Sequence, residues 1–254
     1  MAKIVVFDSG LGSISIIKEI KKIMKTDIVY FADQKNYPYG NKSQAQIASI
    51  IKKTINMLEE KFTPDIIVVA SNTPSLMLNL QSKKVVDVKP PLKLAQKKSK
   101  SKKIGILATK ASVNSKGLEN YVKENNIPKS YEIFKIDGSN LVDLVESGKF
   151  LNNKKYCKKI IKKSLDDYII TEKIDTITLS STHLLFLKTL LEKEFPQVEF
   201  IDPGSLVAKK IFLKIKNKQS KRNSLKIFTS GDIINFKNKL NKIGIKNKIN
   251  YLST

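Results

Sequence analysis

The chain has no tryptophan, one cysteine, one histidine and a single arginine among 47 basic residues. Each scarcity narrows what it can do. Cys157 alone can form no internal disulfide and no thiolate metal site, which is compatible with a reducing compartment. Its setting, KKYCKKI, would favour thiolate through nearby ammonium groups, although an incidental helix cysteine is the ordinary reading. No stretch reaches the about 18 uncharged apolar residues of a membrane span. The opening MAKIVVFDSG enters a strand pattern without a basic leader and cleavage site, so a soluble cytoplasmic protein is expected. The glycines do not fall at dinucleotide or P-loop spacings, and Gly10 stands where a two-aspartate phosphatase needs its second carboxylate. The net charge is +24 and almost all of the excess is lysine. Lacking the planar fork of arginine, this surface disfavours sequence-specific nucleic-acid recognition and predicts salt-sensitive, non-specific polyanion binding.

What is present is ample apolar material, 41% of 254 residues, distributed as short runs alternating with longer amphipathic stretches. This is the pattern of an α/β fold with mainly parallel sheets. Strands are predicted at 3–7, 27–32, 65–70, 103–108, 132–136, 176–180, 198–202 and 226–230. Helices are predicted over 13–23, 44–62, 114–125, 156–171 and 184–194, with lysines on the face away from the apolar stripe. KIVVFDSG at 3–10 is echoed by KIGILATK at 103–110, and IIVVASNT at 66–73 by ITLSSTH at 177–183. Offsets of about 100 and about 110 predict two pseudo-symmetric α/β domains whose polar turns face each other across a cleft. Lysine-rich KKSKSKK at 97–103 has the composition of a connector, and a return connection is expected near 201–208. The expected division is 1–92 with 208–254 as a discontinuous first domain, and 93–207 as a central second one.

Polar residues gather where these strands end. Asp8 closes the first strand before an SGLGS turn, the place where open α/β sheets put ligand groups, although such an aspartate is commonly a cap or turn former. NYPYGNKS contains Tyr39 and Gly40 in a turn where Pro38 fixes φ and glycine permits close approach to a ligand. Ser71-Asn72-Thr73 and Ser181-Thr182-His183 each follow an apolar run. A lone histidine is ordinarily structural, but a position two residues after Ser181 brings catalytic support into view.

Together, FDSG, YPYGNKS and the two serine turns resemble, in order and spacing along nearly the whole chain, the glutamate racemase family of the aspartate/glutamate racemase superfamily. The resemblance implies racemisation of an acidic amino acid without cofactor or metal, two bases working on opposite faces of the substrate. It also implies a homodimer, and D-glutamate supply for peptidoglycan precursors. Ser71 and Ser181 occupy the positions of the family's two cysteines. Asp8 and Asp33 would support Ser71, and Glu146 and His183 would support Ser181. Ser9, Pro38, Tyr39, Gly40, Asn72, Thr73, Thr109, Ser112 and Thr182 match positions that bind substrate through backbone and hydroxyl groups. Ser13 replaces a glycine of the first turn, Gln34 a threonine, and Pro74 a small residue. A thiol with a pKa of about 8.5 serves as an acid and base after modest tuning, whereas a serine hydroxyl titrates far higher. A slow or inactive racemase of glutamate, with aspartate next, is therefore expected, the alternatives being a silent acidic-amino-acid binding protein and a basic nucleic-acid-associated protein.

Overall fold

The structure, a computed structural model, describes residues 2–78, 80, 82–218 and 220–254. It divides into two compact units, Met1–Val88 with Gly204–Thr254, and Lys89–Pro203. The chain begins the first unit with β1 (Lys3–Asp8), α1 (Ser13–Ile23), β2 (Asp27–Ala32), α2 (Gln44–Phe62), β3 (Ile66–Val69), α3 (Asn72–Met77) and β4 (Val85–Asp87). The second unit holds α4 (Leu92–Lys98), β5 (Lys103–Ala108), α5 (Lys110–Val113), α6 (Lys116–Glu124), β6 (Glu132–Asp137), α7 (Ser139–Glu146), α8 (Lys149–Asn152), α9 (Lys154–Asp166), β7 (Thr176–Leu179), α10 (Lys188–Glu194) and β8 (Glu199–Ile201). The first unit is then completed by α11 (Gly204–Ile215), β9 (Ser224–Thr229), α12 (Ile233–Lys242) and β10 (Ile249–Tyr251).

Both sheets are parallel throughout, as crossover helices require. The first runs β10-β9-β2-β1-β3-β4 and the second β6-β5-β7-β8. Central strands rich in isoleucine and valine suit this arrangement because both of their faces are covered. In the first sheet Val5, Phe7, Val29, Phe31, Ile67 and Val69 pack with Ile47, Ile51 and Leu58 of α2. The alternate residues Ile4, Val6, Ile28 and Tyr30 are buried as well, and α1 packs along α11. In the second unit Leu107, Ile136, Ile177 and Leu179 pack with Val145 of α7, Ile161 of α9 and Leu191 of α10. Among the described residues no helix is long and apolar enough to cross a membrane.

The internal echo is written into the strand registers. Ile4 pairs with Ile66 and Phe7 with Val69 in the first sheet; Ile104 pairs with Thr176 and Leu107 with Leu179 in the second. These are offsets of 100 for the first strand of each pair and 110 for the other. One residue further, Ala70 N–H donates to Phe7 O at 2.8 Å and Ser180 N–H to Leu107 O at 2.8 Å. The strands β2-β1-β3-β4 and β6-β5-β7-β8 thus repeat one topology.

Several expectations shift in detail. The helix predicted over 114–125 starts at Lys116, because the Ser115 hydroxyl accepts Leu118 N–H at 3.1 Å and caps it, while α5 is a separate turn. The prediction over 156–171 becomes α9 from Lys154, capped by Asn153, followed by a π-helical turn over Asp167–Thr171. That over 184–194 is a 3-10 segment, Thr182–Leu187, before α10. Lysine-rich 97–103 is not a free linker. Lys97 and Lys98 end α4, and the turn beyond folds onto Asp175, whose carboxylate accepts Ser99 Oγ, Lys100 N–H and Ser101 N–H at 2.7, 2.8 and 2.7 Å. Cys157 points away from its lysine neighbours into the core with 0% exposure, and burial pushes its thiol up despite a backbone hydrogen bond, the reverse of the thiolate-favouring setting read from KKYCKKI.

Candidate active site

In the first unit the C-terminal ends of three neighbouring strands collect the expected residues. Asp8 ends β1, Asp33 follows β2, and Ser71 lies two residues past β3. Asp33 N–H donates to Asp8 O at 2.8 Å, so the two acidic residues sit on adjoining strand ends. Asp8 is 1% exposed, and its carboxylate accepts Gly10 N–H at 3.2 Å and Ser13 N–H at 2.9 Å at the head of α1. Anion and helix N-terminus complement each other there. Ser9 is buried in the same turn, whose Gly10 carbonyl accepts the Tyr30 hydroxyl.

Asp33 has 0% exposure and is surrounded by donors. The Tyr39 hydroxyl donates to Oδ2 at 2.9 Å, Asn36 Nδ2 to both oxygens at 3.0 and 2.9 Å, and Ser230 Oγ to Oδ1 at 3.1 Å. Burial, then the Asp33 charge and hydrogen bond, then Asp8, raise the Tyr39 phenol well above its ordinary value, so it remains a donor. Pro38 caps the short 3-10 turn Tyr39–Asn41 that contains Gly40, and α3 packs against that turn.

Ser71 precedes α3 as its N-cap, in extended backbone at φ −140°, ψ 129°, and Ser181 precedes the 3-10 segment Thr182–Leu187 at φ −141°, ψ 132°. A serine at an N-cap ordinarily spends its hydroxyl on a backbone N–H of the first turn. Neither of these does. Asn72, 3% exposed, has Nδ2 and Oδ1 both buried without a hydrogen-bond partner among the described residues. Such an amide is costly to enclose unless polar groups meet it. Ser13 Oγ, in the position that is glycine in the resembling family, is buried in the same way.

In the second unit Ser181, Thr182 and His183 follow β7 and are all buried. His183 Nε2 lies 2.8 Å from Glu146 Oε1 because α7 packs against the Thr182–Leu187 segment. The side chains of His183 and Glu146 are 11% and 9% exposed, so the pair is sheltered from water. Thr109, just past β5, caps α5 through Ser112 N–H, and the Thr109 and Ser112 hydroxyls lie 3.0 Å apart. Among the described residues no three His, Cys, Asp or Glu side chains gather as cation ligands would.

Ser230, Asn36 and Tyr30 join the site without being among the residues expected from the sequence. Ser230 carried a usable signal, since it closes the predicted strand 226–230 and so belongs to the same strand-end row as Asp8 and Asp33. Asn36 and Tyr30 carried none, because nothing local separates them from an ordinary turn asparagine and a core tyrosine.

No family model matches the chain. The fold is that of solved racemases. A crystal structure of glutamate racemase isoform RacE1 from Bacillus anthracis superposes with a TM-score of 0.85 at 24% identity, over 99% of this chain and 97% of that one. The glutamate racemase of Aquifex pyrophilus superposes with a TM-score of 0.73 at 29% identity, covering 98% of each chain. In direct sequence comparison the Aquifex pyrophilus glutamate racemase is 33% identical over 233 residues, 89% of this chain and 87% of its relative. The chain belongs to the glutamate racemase family, whose members are isomerases.

Proposed function

We propose that this protein interconverts L- and D-glutamate by two-base α-proton exchange, with Ser71 and Ser181 as the two proton carriers and turnover far below that of a cysteine pair. The observation that carries this reading is the matched pair of strand-end serines, alike in backbone conformation and each with a hydroxyl that caps nothing. A hydroxyl becomes a competent base only when another group takes its proton. In this reading the Glu146–His183 pair performs that service for Ser181, and Asp8 with Asp33 for Ser71. The buried Asn72 amide would donate to the substrate's carboxylate or accept from its ammonium, and the hydroxyls of Ser9, Thr73, Thr109, Ser112 and Thr182 and the backbone of the Pro38-Tyr39-Gly40 turn would contribute further contacts. Family membership makes a silent binding protein the less favoured reading. A homodimer in the cytoplasm, supplying D-glutamate for peptidoglycan precursors, completes the proposal, and sedimentation velocity checks the dimer.

The test is proton NMR of L-glutamate with the protein in D₂O, alongside chiral analysis. Slow loss of the α-proton signal together with appearance of the D-enantiomer is expected. The double variant Ser71→Cys with Ser181→Cys should raise the rate by at least about 10²-fold, the lower end of one general acid–base contribution. A folded double variant that binds glutamate yet neither exchanges nor inverts it would sink the proposal.

A further inference from the structure

α9 differs from every other helix of the molecule in its lysine content. It carries six, Lys154, Lys155, Lys158, Lys159, Lys162 and Lys163, where α1, α2, α4, α11 and α12 carry three each. All six are exposed. At 3.6 residues per turn they fall into two adjacent rows, 154-158-162 and 155-159-163, that together fill about half the circumference. Within a row one ammonium follows another every about 6 Å along the axis. The opposite face is committed to the core through Cys157, Ile161 and Leu165.

Acidic groups near this face are few and lie at its margins. Glu194 of α10 pairs with Lys158 at 3.0 Å; Asp166 and Asp167 lie beyond the last lysine, at the C-terminal end. Of the six lysines only Lys158 has an ion-pair partner among the described residues. A recess of about 310 Å³ between α9 and α10 brings Lys193 beside Lys154, Lys155 and Lys158, with Glu194 the one acid on its lining, above a floor of Ile161 and Leu190. Tyr156, 39% exposed, stands among the lysines with Lys149 Nζ 5.2 Å from its ring centroid. Several lysines elsewhere are paired with acids, as Lys22 with Glu19 on α1, Lys210 with Asp87 beside α11, and Lys98 with Glu199 beside α4, while α12, which carries no acid of its own, has only three lysines.

We propose that the lysine face of α9 is a docking surface for the phosphodiester backbone of nucleic acid, bound without reading its bases. Two rows of ammonium groups on a rigid rod match a polyanion of closely spaced charge, and lysine on flexible stems neutralises phosphates without the bidentate geometry that recognises base edges. An anionic membrane fits less well. A helix lying in a bilayer interface needs an apolar face to bury there, and that of α9 is already inside the protein.

The experiment is fluorescence anisotropy of a labelled, mixed-sequence DNA duplex of about 20 base pairs with the full-length protein, from about 50 to 200 mM NaCl. Binding that weakens steeply with salt is expected. In the triple variant K155Q/K159Q/K163Q, the slope of log K against log salt should flatten by about 2 to 3, with affinity falling at least about tenfold at low salt. K237Q/K239Q/K242Q on α12 removes the same charge and should leave the affinity within about twofold if α9 is the docking face. Circular dichroism confirms that each variant is folded; should the triple not fold, K159Q alone should flatten the slope by about 1. Equal losses in the two triples, an unchanged slope, no duplex binding, or binding to anionic vesicles in preference to duplex would overturn the proposal.

Discussion

Glutamate racemase chemistry is decided at single atoms, and here the residues around the reacting positions are better engaged than the reacting positions themselves. Asp33 accepts from Tyr39, Asn36 and Ser230 at once, and Glu146 holds His183, whereas Ser71 and Ser181 cap nothing. Replacing sulfur with oxygen leaves this surround in place and removes acidity, so the deficit lies in proton affinity and cysteine is the natural restoration. Tyr39→Phe tests the support itself. It deletes one donor from a fully enclosed carboxylate while Asn36 and Ser230 remain, and should cost about 1–3 kcal/mol in urea unfolding. Because burial, Asp33 and Asp8 hold the Tyr39 phenol up, the same change should leave the spectroscopic tyrosine titration of the folded protein unaltered. A titrating group missing from the variant would show that Tyr39 is not enclosed as described. The two serines were legible in the sequence because a polar triplet after an apolar run recurs; the donors on Asp33 come from residues 36, 39 and 230, and only folding brings the last of these near.

Elements are fixed in part by their first residues, and the two units use related devices. Asp65 and Asp175 precede β3 and β7 by one residue, at the same offset of 110 as the strands themselves. Asp65 accepts Lys3 N–H and the Lys218 ammonium, and Asp175 accepts the turn at residues 99–101. For Asp175 burial raises the carboxyl, but hydrogen bonds from Ser101, Ser99 and Lys100 outweigh it and hold the group below its ordinary value. A folded-state pKa below the unfolded one means that this contribution is fully present above the unfolded value, about 3.9, and fades as pH falls through the folded value. Asp175→Asn should cost about 1 kcal/mol at neutral pH, a magnitude trimmed by partial exposure. Its urea midpoint should approach that of the unsubstituted protein at the acid end; a difference that widened on acidification would contradict the assignment. This element layer was the most legible in sequence. Strands β1, β2, β5 and β6 and helices α1 and α2 stand close to their expected positions because long runs of one period declare themselves. β4 and β10, three residues each, are too short for any period to show, and the boundary of α6 depended on which of several polar residues, Asn114 or Ser115, supplied the cap.

At the scale of the whole molecule the dominating quantity is the +24 charge. Its ion pairs join mainly exposed side chains, among them Lys98–Glu199 at 51% and 48% and Lys135–Glu119 at 36% and 51% exposure. Such pairs contribute little each. The balance between attraction and repulsion is therefore set by the lysines left over, and most of these lie on the helix faces turned away from the two cores. Salt screens both signs, but with 47 basic against 23 acidic residues the repulsive pairs outnumber the attractive ones. Screening length falls from about 14 Å at 0.05 M to about 4 Å at 0.5 M ionic strength, below the separation of most like-charged neighbours. Raising sodium chloride over that range should raise the midpoint of thermal unfolding by several degrees, with potassium chloride giving the same rise because screening does not depend on the identity of the cation. The sign follows because net repulsion destabilises the compact state and is relieved by salt. A midpoint that fell with salt would mean that local ion pairs outweigh the excess, and that lysines drawn here as solvated hold carboxylates in solution.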